Sequence, residues 1–532
     1  MTDPSPLRER LDTLVNQCLT PGSAPGIALA LTDRDRPLLT ASYGSANLDA
    51  NQPVTDETLF EIGSIGKSFT AIALLQLREE GTVDFHAPVV RYLPWFEVRT
   101  AYEPITIHHL LSHTAGIIGG TDFTPAPTYE VWSLRETETG CPPGERFSYS
   151  NLGYKLLGLV LEEIEGKPYR EVIQTRIFDP LGMTNSASVI THALRPRLAV
   201  GYTSLYDDRS SSPDERLVPA TWLETDTGDG CLATNAEDLA TYLRMILNRG
   251  QGPSGRVLTE ESFALLTTPV IEAWDGAHYA YGLGVGEKDG TRWVGHGGGM
   301  VGYSSEMLGD PELGVGMVVL LNGRFAHGDV IERYALALLR AWRRGEPLPE
   351  VPALPDPRRI EGAEQFAGVY QQAGRRVVVA ADDDRLTLKI DGLAAPLTRI
   401  EGDDFRVDHP AFPLGSVRFG RDGERVIELT SGGDWYHGEQ YDGPTSFDYP
   451  EEWNAYAGHY RSHNPWSTNF RVVLRKGRLH AFDKPLEPLG DGLFRVGGDP
   501  RAPERIQFDT IVNGKAQRAL VDRGPYYRFF TP

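Results

Sequence analysis

Five prolines between residues 347 and 357 divide this chain of 532 residues. Proline fixes its own φ and lacks a backbone donor, so a segment this rich in proline stays extended and cannot continue a helix. The pattern predicts a linker at 346–358 that separates a first domain at 1–345 from a C-terminal part. A chain of this length is expected to form two or three domains.

The C-terminal part consists of short alternating strands and turns, and it contains an internal repeat. Three pairs of segments match in the same order, with offsets close to ninety residues: FAGVY (366–370) with YAGHY (456–460), PLTRIEGDDFRV (396–407) with PLEPLGDGLFRV (485–496), and VRF (417–419) with IQF (506–508). The repeat predicts two tandem copies of one small all-β domain, at 359–447 and 448–532. Each copy is expected to be a closed barrel, which hides its strand edges.

The first domain combines helical and strand patterns. Apolar residues at helical spacing predict an amphipathic helix at 7–18 and another at 331–342. GIALALTD and PLLTASYG are typical strands joined by a charged turn, and strand-like runs return at YAYGLGVG, RWVGH, YSSEML and VGMVVLLN. Terminal helices, a sheet and a helical middle section predict an α/β or α+β domain.

The charge and the cysteine content exclude several classes of partner. The net charge is −21, from 73 acidic and 52 basic residues. Such a surface repels phosphate backbones and anionic lipids, so we expect no nucleic acid and no membrane partner. Three cysteines cannot form a disulfide framework. The start of the chain lacks a signal-peptide core, and no long apolar run suggests a membrane span. We therefore expect a cytoplasmic protein with reduced thiols.

The segment Gly63-Ser64-Ile65-Gly66-Lys67-Ser68 is compatible with three motifs. A phosphate-binding P-loop needs a glycine at the position of Glu61, and a nucleophile elbow needs one at Ile62. Ser-x-x-Lys at the start of a helix remains. Residues three apart share a helical face, so the amine of Lys67 can reach the hydroxyl of Ser64 and take its proton. The motif alone is also compatible with a helix cap beside a surface lysine.

Two further elements follow in the sequence. Tyr149-Ser150-Asn151 precedes an apolar helical pattern, so Tyr149 can shuttle protons and Asn151 can bind a substrate amide. His296-Gly297-Gly298-Gly299 follows the strand TRWVG. Glycines there let a substrate's backbone approach, the amides of Ser64 and Gly299 can form an oxyanion hole, and His296 can donate a hydrogen bond or carry charge near neutral pH.

The order Ser-x-x-Lys, Tyr-x-Asn, His-x-Gly resembles the serine β-lactamase-like, penicillin-recognising superfamily of class C β-lactamases, D-aminopeptidases and esterases. ITIHHLLSHTAGI (105–117), IFDPLGM (177–183), GDGCLATNAEDLATYL (228–243) and VGHGGGMVGYSSEML (294–308) also resemble it. The resemblance implies a β-lactamase/transpeptidase-like catalytic domain, in which an antiparallel sheet is flanked by helices and joined to a helical region. The two predicted barrels resemble the arrangement of a three-domain D-aminopeptidase.

By this resemblance Ser64 forms an acyl-enzyme, Lys67 and Tyr149 share the proton transfers, and Asn151 holds the substrate's amide. His296, Gly298 and Gly299 would line the strand beside the substrate. β-Lactamases and transpeptidases of the superfamily usually carry Lys-Thr-Gly there, so His296 favours an amide or ester hydrolase instead. Asp229 either attracts a substrate's ammonium group or caps a turn.

The leading hypothesis is a serine hydrolase of small peptides or amides, with a D-aminopeptidase or D-amino-acid amidase as the favoured type. A carboxylesterase of the same fold and a non-catalytic penicillin-binding or sensor protein are the alternatives. We expect no cofactor and no metal, because the histidines at 108, 109 and 113 lack the glutamate of a zincin motif. The expected partner is a small molecule or short peptide, and a homodimer remains open.

Overall fold

The chain folds into two units in the computed structural model, which describes residues 4–19, 24–120, 122, 124, 126–211, 215–274, 276–288, 290–323 and 328–529. Residues 1–203 and 213–352 form the first unit, and residues 204–212 and 353–532 form the second.

An antiparallel sheet of nine strands forms the centre of the first unit. The strands of this unit are β1 Gly26–Asp33, β2 Pro37–Asn47, β3 Gln52–Pro53, β4 Phe60–Glu61, β5 Tyr202–Ser204, β6 Leu217–Pro219, β7 Ala233–Thr234, β8 Gln251–Gly252, β9 Gly255–Arg256, β10 Ile271–Trp274, β11 Ala277–Tyr279, β12 Gly284–Lys288, β13 Thr291–Met300, β14 Tyr303–Asp310 and β15 Val315–Leu321. The sheet order is β10-β11-β12-β13-β14-β15-β1-β2-β3, and β4–β7, β5–β6 and β8–β9 form two-stranded pairs. Every residue of β1 and β15 is buried, which requires cover on both faces of the sheet.

Helices supply that cover and form a separate helical region. They are α1 Ser5–Cys18, α2 Gly66–Glu79, α3 Ile107–Leu111, α4 Pro127–Ser133, α5 Asn151–Glu165, α6 Tyr169–Ile173, α7 Asp179–Leu181, α8 Ala236–Leu247, α9 Glu260–Thr267 and α10 Gly328–Arg344. The helix α8 packs on β1 and β15, while α10 packs on β15 beside α1. The first ten residues of α2 are all buried, so α2 is a core helix rather than a surface helix.

The second unit contains two closed eight-stranded barrels. The first consists of β16 Gly368–Gln372, β17 Arg375–Asp382, β18 Arg385–Ile390, β19 Leu393–Glu401, β20 Asp404–Val407, β21 Ser416–Asp422, β22 Arg425–Ser431 and β23 Asp434–Gly438. The second consists of β24 Gly458–Arg461, β25 Asn469–Arg475, β26 Arg478–Ala481, β27 Lys484–Gly490, β28 Leu493–Val496, β29 Arg505–Val512, β30 Lys515–Val521 and β31 Gly524–Phe529. The predicted fold class, an α/β domain followed by two β-barrels, is confirmed.

Matching interactions recur in the two barrels. The Tyr370 hydroxyl donates to the Phe366 carbonyl at 2.8 Å, and the Tyr460 hydroxyl donates to the Tyr456 carbonyl at 2.7 Å. These tyrosines stand at matching places in the repeated FAGVY and YAGHY segments. Each hydroxyl thereby satisfies a backbone carbonyl four residues earlier at matching positions of the two barrels, which agrees with a repeated fold.

A short segment that follows β5 in the chain belongs to the second unit. The carboxylate of Asp207 accepts a hydrogen bond from Arg461 at 2.6 Å, and the Ser210 N–H donates to the Leu414 carbonyl at 3.1 Å. The segment therefore binds both barrels, an excursion that the proline cluster and the repeat do not signal. Within the described part of the chain, no helix is both long enough and apolar enough to cross a bilayer.

Candidate active site

Ser64 lies in a turn of 3₁₀ helix, Gly63–Ile65, that leads directly into α2. Gly63 has a φ of 51°, a left-handed conformation that favours glycine. A β-carbon at Gly63 would also lie 2.7 Å from the amide nitrogen of Gly299. The turn is therefore held tightly against β13, which carries the predicted glycine-rich element.

Lys67 is completely buried one helical turn beyond Ser64. Its Nζ donates to Ser64 Oγ at 3.0 Å, to Asn151 Oδ1 at 2.8 Å and to the Asp229 carbonyl at 2.7 Å. An ammonium group has three donors, and these three acceptors use all of them. If the amine is neutral, two N–H groups still bond to Asn151 and Asp229, and the lone pair is left facing Ser64. The geometry thus suits a lysine that takes the proton of Ser64.

Asn151 is placed by the start of α5. The preceding residue, Ser150, caps this helix because its Oγ accepts from the Gly153 N–H at 3.0 Å and donates to the Ile118 carbonyl at 2.7 Å. The carbonyl oxygen of the Asn151 side chain is taken by Lys67. Its Nδ2 donors have no partner among the described residues, so they are free to bind a substrate carbonyl.

Tyr149 contacts Lys67 through its ring. Lys67 Nζ lies 4.9 Å from the centroid of that ring, in a cation–π arrangement. Within the described ranges the Tyr149 hydroxyl makes no hydrogen bond, so it is free to bond to a substrate or a leaving group. The structure brings Ser64, Lys67, Tyr149 and Asn151 together as the sequence predicts.

His113 supports Tyr149, a role that the sequence did not predict. The two ring centroids are 4.2 Å apart, and His113 Nδ1 accepts from the Ser150 N–H at 3.0 Å. Burial holds the pKa of His113 well below its ordinary value, and Lys67 and His296 lower it further. His113 is therefore a neutral ring that fixes the tyrosine loop. From the sequence, the histidines at 108, 109 and 113 were considered only as possible zinc ligands, and no other pattern pointed to His113.

The glycine-rich element is part of a strand rather than a turn after it. The pairing of β13 with β14 continues to Met300, whereas the pairing with β12 ends at Gly295. The edge of residues 296–300 on the β12 side therefore has no strand partner in the described part of the chain. Such an edge can accept the extended backbone of a peptide substrate.

Gly298 must be glycine because the backbone at Ile62 lies too close for a side chain, whereas Gly299 has space for one. A β-carbon at Gly298 would overlap the Ile62 carbonyl oxygen. A β-carbon at Gly299 would meet no atom within 4 Å. Gly298 thus lets β13 approach the nucleophile turn, while Gly299 faces open space beside it.

His296 is buried and uncharged, so of the two roles predicted for it the structure shows hydrogen bonding rather than charge near neutral pH. Burial lowers the pKa of His296 to about 4, and Lys67 lowers it further against a hydrogen bond to Gly297. Its Nδ1–H donates to the Gly297 carbonyl, which leaves Nε2 to accept from the Tyr279 hydroxyl at 3.1 Å. A neutral ring therefore occupies the position where β-lactamases of the family carry a lysine.

Asp229 contributes to this cluster through its main chain. Its carbonyl accepts from Lys67, and its carboxylate accepts from the Thr227 hydroxyl at 2.5 Å. The negative charge of Asp229 also helps to raise the pKa of the nearby Lys155. The sequence offered two interpretations of Asp229, substrate binding and turn capping. The structure adds a third, in which the Asp229 carbonyl positions Lys67. Among the described residues no group of His, Cys, Asp and Glu is arranged to hold a metal ion.

A model of the β-lactamase family matches residues 11–341. Penicillin-binding protein 4 of Amycolatopsis lactamdurans is 30% identical over 385 residues, which cover 69% of this chain and 97% of that protein. Protein flp of Staphylococcus aureus is 28% identical over 59% of this chain, and the match spans 63% of its own length. The structure of an octameric penicillin-binding protein homologue from Pyrococcus abyssi has a TM-score of 0.61 and 28% identity, covering 82% of this chain and 99% of that one. The chain belongs to the β-lactamase family, and it is a serine hydrolase of that family.

Proposed function

We propose that the chain hydrolyses small amides or short peptides through an acyl-enzyme on Ser64, with a D-aminopeptidase or D-amino-acid amidase as the favoured type. The observation that carries this proposal is the bonding of Lys67. Two fixed acceptors, Asn151 Oδ1 and the Asp229 carbonyl, direct the remaining position of the amine at Ser64 Oγ, 3.0 Å away.

In the proposed reaction Ser64 Oγ attacks the substrate's carbonyl carbon, and the serine proton passes to neutral Lys67. The oxyanion binds to the N–H groups of Ser64 and Gly299. Collapse of the tetrahedral intermediate breaks the C–N bond, and the leaving amine takes a proton that Lys67 and the Tyr149 hydroxyl relay. Water then attacks the ester carbonyl, its proton passes through the same groups to Ser64 Oγ, and cleavage of the bond between Oγ and the acyl carbon releases the acid.

Two observations support an amide or peptide substrate over a β-lactam. The neutral His296 offers no cation for the carboxylate that the usual lysine of the family binds. The free edge of β13 suits an extended peptide backbone. The two closed barrels support the comparison with the three-domain D-aminopeptidase.

A panel of D- and L-aminoacyl p-nitroanilides, p-nitrophenyl butyrate and nitrocefin, assayed with the wild type and with Ser64→Ala, tests the proposal. We expect D-aminoacyl anilides to be the best substrates, nitrocefin to be turned over poorly, and Ser64→Ala to be inactive. Mass spectrometry of a quenched reaction should show the acyl group on the wild type alone. A Ser64→Ala variant with the wild-type rate would refute the nucleophile.

The same panel separates the alternatives. Turnover of p-nitrophenyl butyrate without any anilide would replace the peptidase proposal by a carboxylesterase. Stable acylation by a β-lactam with no turnover of any substrate would indicate a binding or sensor protein. Because one relative is an octamer, we also propose self-association of this chain, which light scattering of the purified protein measures directly.

A further inference from the structure

A cavity lies in the first unit, beside the segment that leads to Ser64. Its volume is about 60 Å³, enough for about four waters or one short organic group. Glu61, on β4, contributes a carboxyl group to its lining. Val301, in the turn between β13 and β14, lies on another wall. The cavity is thus built partly from the two segments that carry Ser64 and Gly299.

Glu61 is an isolated acid in this cavity. It is 4% exposed, and its carboxyl group has no hydrogen bond or ion pair with any described residue. Other buried acids of the same unit do have partners: Asp310 accepts from Arg340 at 2.9 Å, and Asp238 accepts from Ser186 at 2.9 Å. A buried carboxyl group without a partner is costly, so a cavity that exposes one points to a ligand that supplies donors or positive charge.

The neighbouring groups that the structure describes supply neither a hydrogen-bond donor nor a positive charge to Glu61. The Tyr303 hydroxyl donates to the Ala199 carbonyl at 2.6 Å and so is committed elsewhere. The Arg195 guanidinium is exposed and lies 5.0 Å from the centroid of the Trp222 ring, a cation–π contact rather than a pair with Glu61. Tyr303 and Arg195 are the other titratable groups of this lining. Burial, with no opposing charge, raises the pKa of Glu61 to about 8.

The chemistry of the walls selects the kind of cation. Leu198, Val200 and Leu223 are apolar, and the lining also includes the aromatic ring of Trp222, which already contacts Arg195. One carboxylate in such surroundings is a poor site for a hydrated metal ion, which needs several oxygen ligands. Aromatic and aliphatic walls around an acid instead suit an organic ammonium group on a short apolar chain.

We infer that this cavity is a binding site for a primary ammonium group on a short apolar chain, with Glu61 as its counter-ion. The ammonium belongs either to the substrate of Ser64 or to a separate small amine. The first of these sources rests on the proposed function, whereas binding itself does not.

Isothermal titration of the wild-type protein with n-propylammonium tests the binding. At pH 7 a carboxyl group with a pKa near 8 is about nine-tenths protonated, so binding of the cation should release about 0.9 proton per ligand. The released proton is measured by comparing phosphate and MOPS buffers, which differ in ionisation enthalpy and contain no primary ammonium group. Propionate, which matches the chain but has the opposite charge, should not bind.

Variants locate the site. Glu61→Gln keeps the shape, and it should weaken n-propylammonium binding at least about tenfold and abolish the proton release. Glu57→Gln, at an exposed acid four residues earlier, is the matched control and should bind as the wild type does. If Glu61→Gln fails to fold, Trp222→Ala should still weaken binding several-fold. Absence of wild-type binding, equal binding by Glu61→Gln, or tighter binding of propionate would each overturn the inference.

Kinetics then distinguish the two sources of the ammonium. If the group belongs to the substrate, Glu61→Gln should raise KM for aminoacyl anilides with a free amino group and leave KM for their N-acetyl forms unchanged. If a separate amine binds, Glu61→Gln should leave both KM values unchanged, and n-propylammonium should not compete with substrate. An inactive enzyme that still binds n-propylammonium through Glu61 would refute the proposed function and leave this site intact.

Discussion

Two buried lysines of the first unit make a matched pair for separating catalysis from stability. Lys67 is 0% exposed and Lys155 is 5% exposed. Lys67 bonds to three neutral oxygens around the nucleophile. Lys155, on α5, instead forms ion pairs with the carboxylates of Asp122 and Glu130. Burial would lower the pKa of Lys155, but the nearby carboxylates outweigh it and raise that pKa.

Replacing each lysine by methionine, which is similar in length but has no charge, should have opposite consequences. Lys67→Met removes the proposed proton acceptor of Ser64, and general-base catalysis contributes about 10²–10⁴ in rate, or about 3–5 kcal/mol. Its stability cost should be at most about 2 kcal/mol, because Ser64 and Asn151 are partly exposed and water can replace the lost donor. Lys155→Met leaves the buried carboxylate of Glu130 and the half-buried carboxylate of Asp122 without their cation and should cost about 3–5 kcal/mol of unfolding free energy.

The measurements are kcat/KM on the best anilide and the unfolding free energy from urea titration followed by circular dichroism. We expect Lys67→Met to lose activity while its unfolding free energy falls by at most about 2 kcal/mol. Lys155→Met should lose about 3–5 kcal/mol of stability while its folded fraction stays active within about tenfold. Wild-type turnover by Lys67→Met would refute the assignment of the base. Equal loss of stability in both variants would refute the view that Lys67 is held by neutral acceptors for chemistry.

Three further outcomes follow from the same geometry. The pKa of His296 is about 4 in the native state and about 6.5 in the unfolded state, so its contribution to stability is complete above pH 6.5 and is lost as the pH falls. Urea titrations should therefore show about 2–3 kcal/mol less stability at pH 4 than at pH 7 from this group. His296→Gln should make the stability depend less on pH over this range. Gly298→Ala should lower kcat/KM at least about tenfold and cost about 1–3 kcal/mol, because its β-carbon would overlap the Ile62 carbonyl, whereas Gly299→Ala should fold like the wild type in the same assays. Tyr149→Phe should keep the unfolding midpoint, since its hydroxyl has no partner in the described residues, but should slow acylation in a stopped-flow assay by about 10²-fold or more; an unchanged acylation rate would exclude Tyr149 from the proton relay.

Local patterns account for much of what the sequence predicted correctly. The apolar periodicity at 7–18 and 331–342 corresponds to α1 and α10, and the strand-like runs correspond to strands of the central sheet. The repeat predicted two closed barrels, and both are present. The same series of strands and turns leaves the same strand edges to be paired, so both copies close in the same way. In the second barrel the Asn513-Gly514 turn has φ values of 50° and 71°, as a tight hairpin requires.

Predictions that depended on surroundings were less complete. The sequence ended the strand before the glycines, but β14 pairs with them and extends β13 to Met300. It left open whether His296 donates a hydrogen bond or carries charge, because the polarity of a histidine's surroundings is not a local property. His113 and Glu61 gave no usable signal, since their importance lies in what packs around them.

The sequence by itself determined the kind of chemistry, because Ser64 and Lys67 must lie one turn apart on any helix that contains them. It also determined the tandem barrels, because strand periodicity acts through the backbone, whereas the place of residues 204–212 in the second unit had no sequence signal. Only the tertiary structure decided which side chains are charged and which are partnered. Asn151 and the Asp229 carbonyl meet Lys67 from segments 84 and 162 residues away, and such contacts are made by packing rather than by spacing. The same packing leaves Glu61 without a partner.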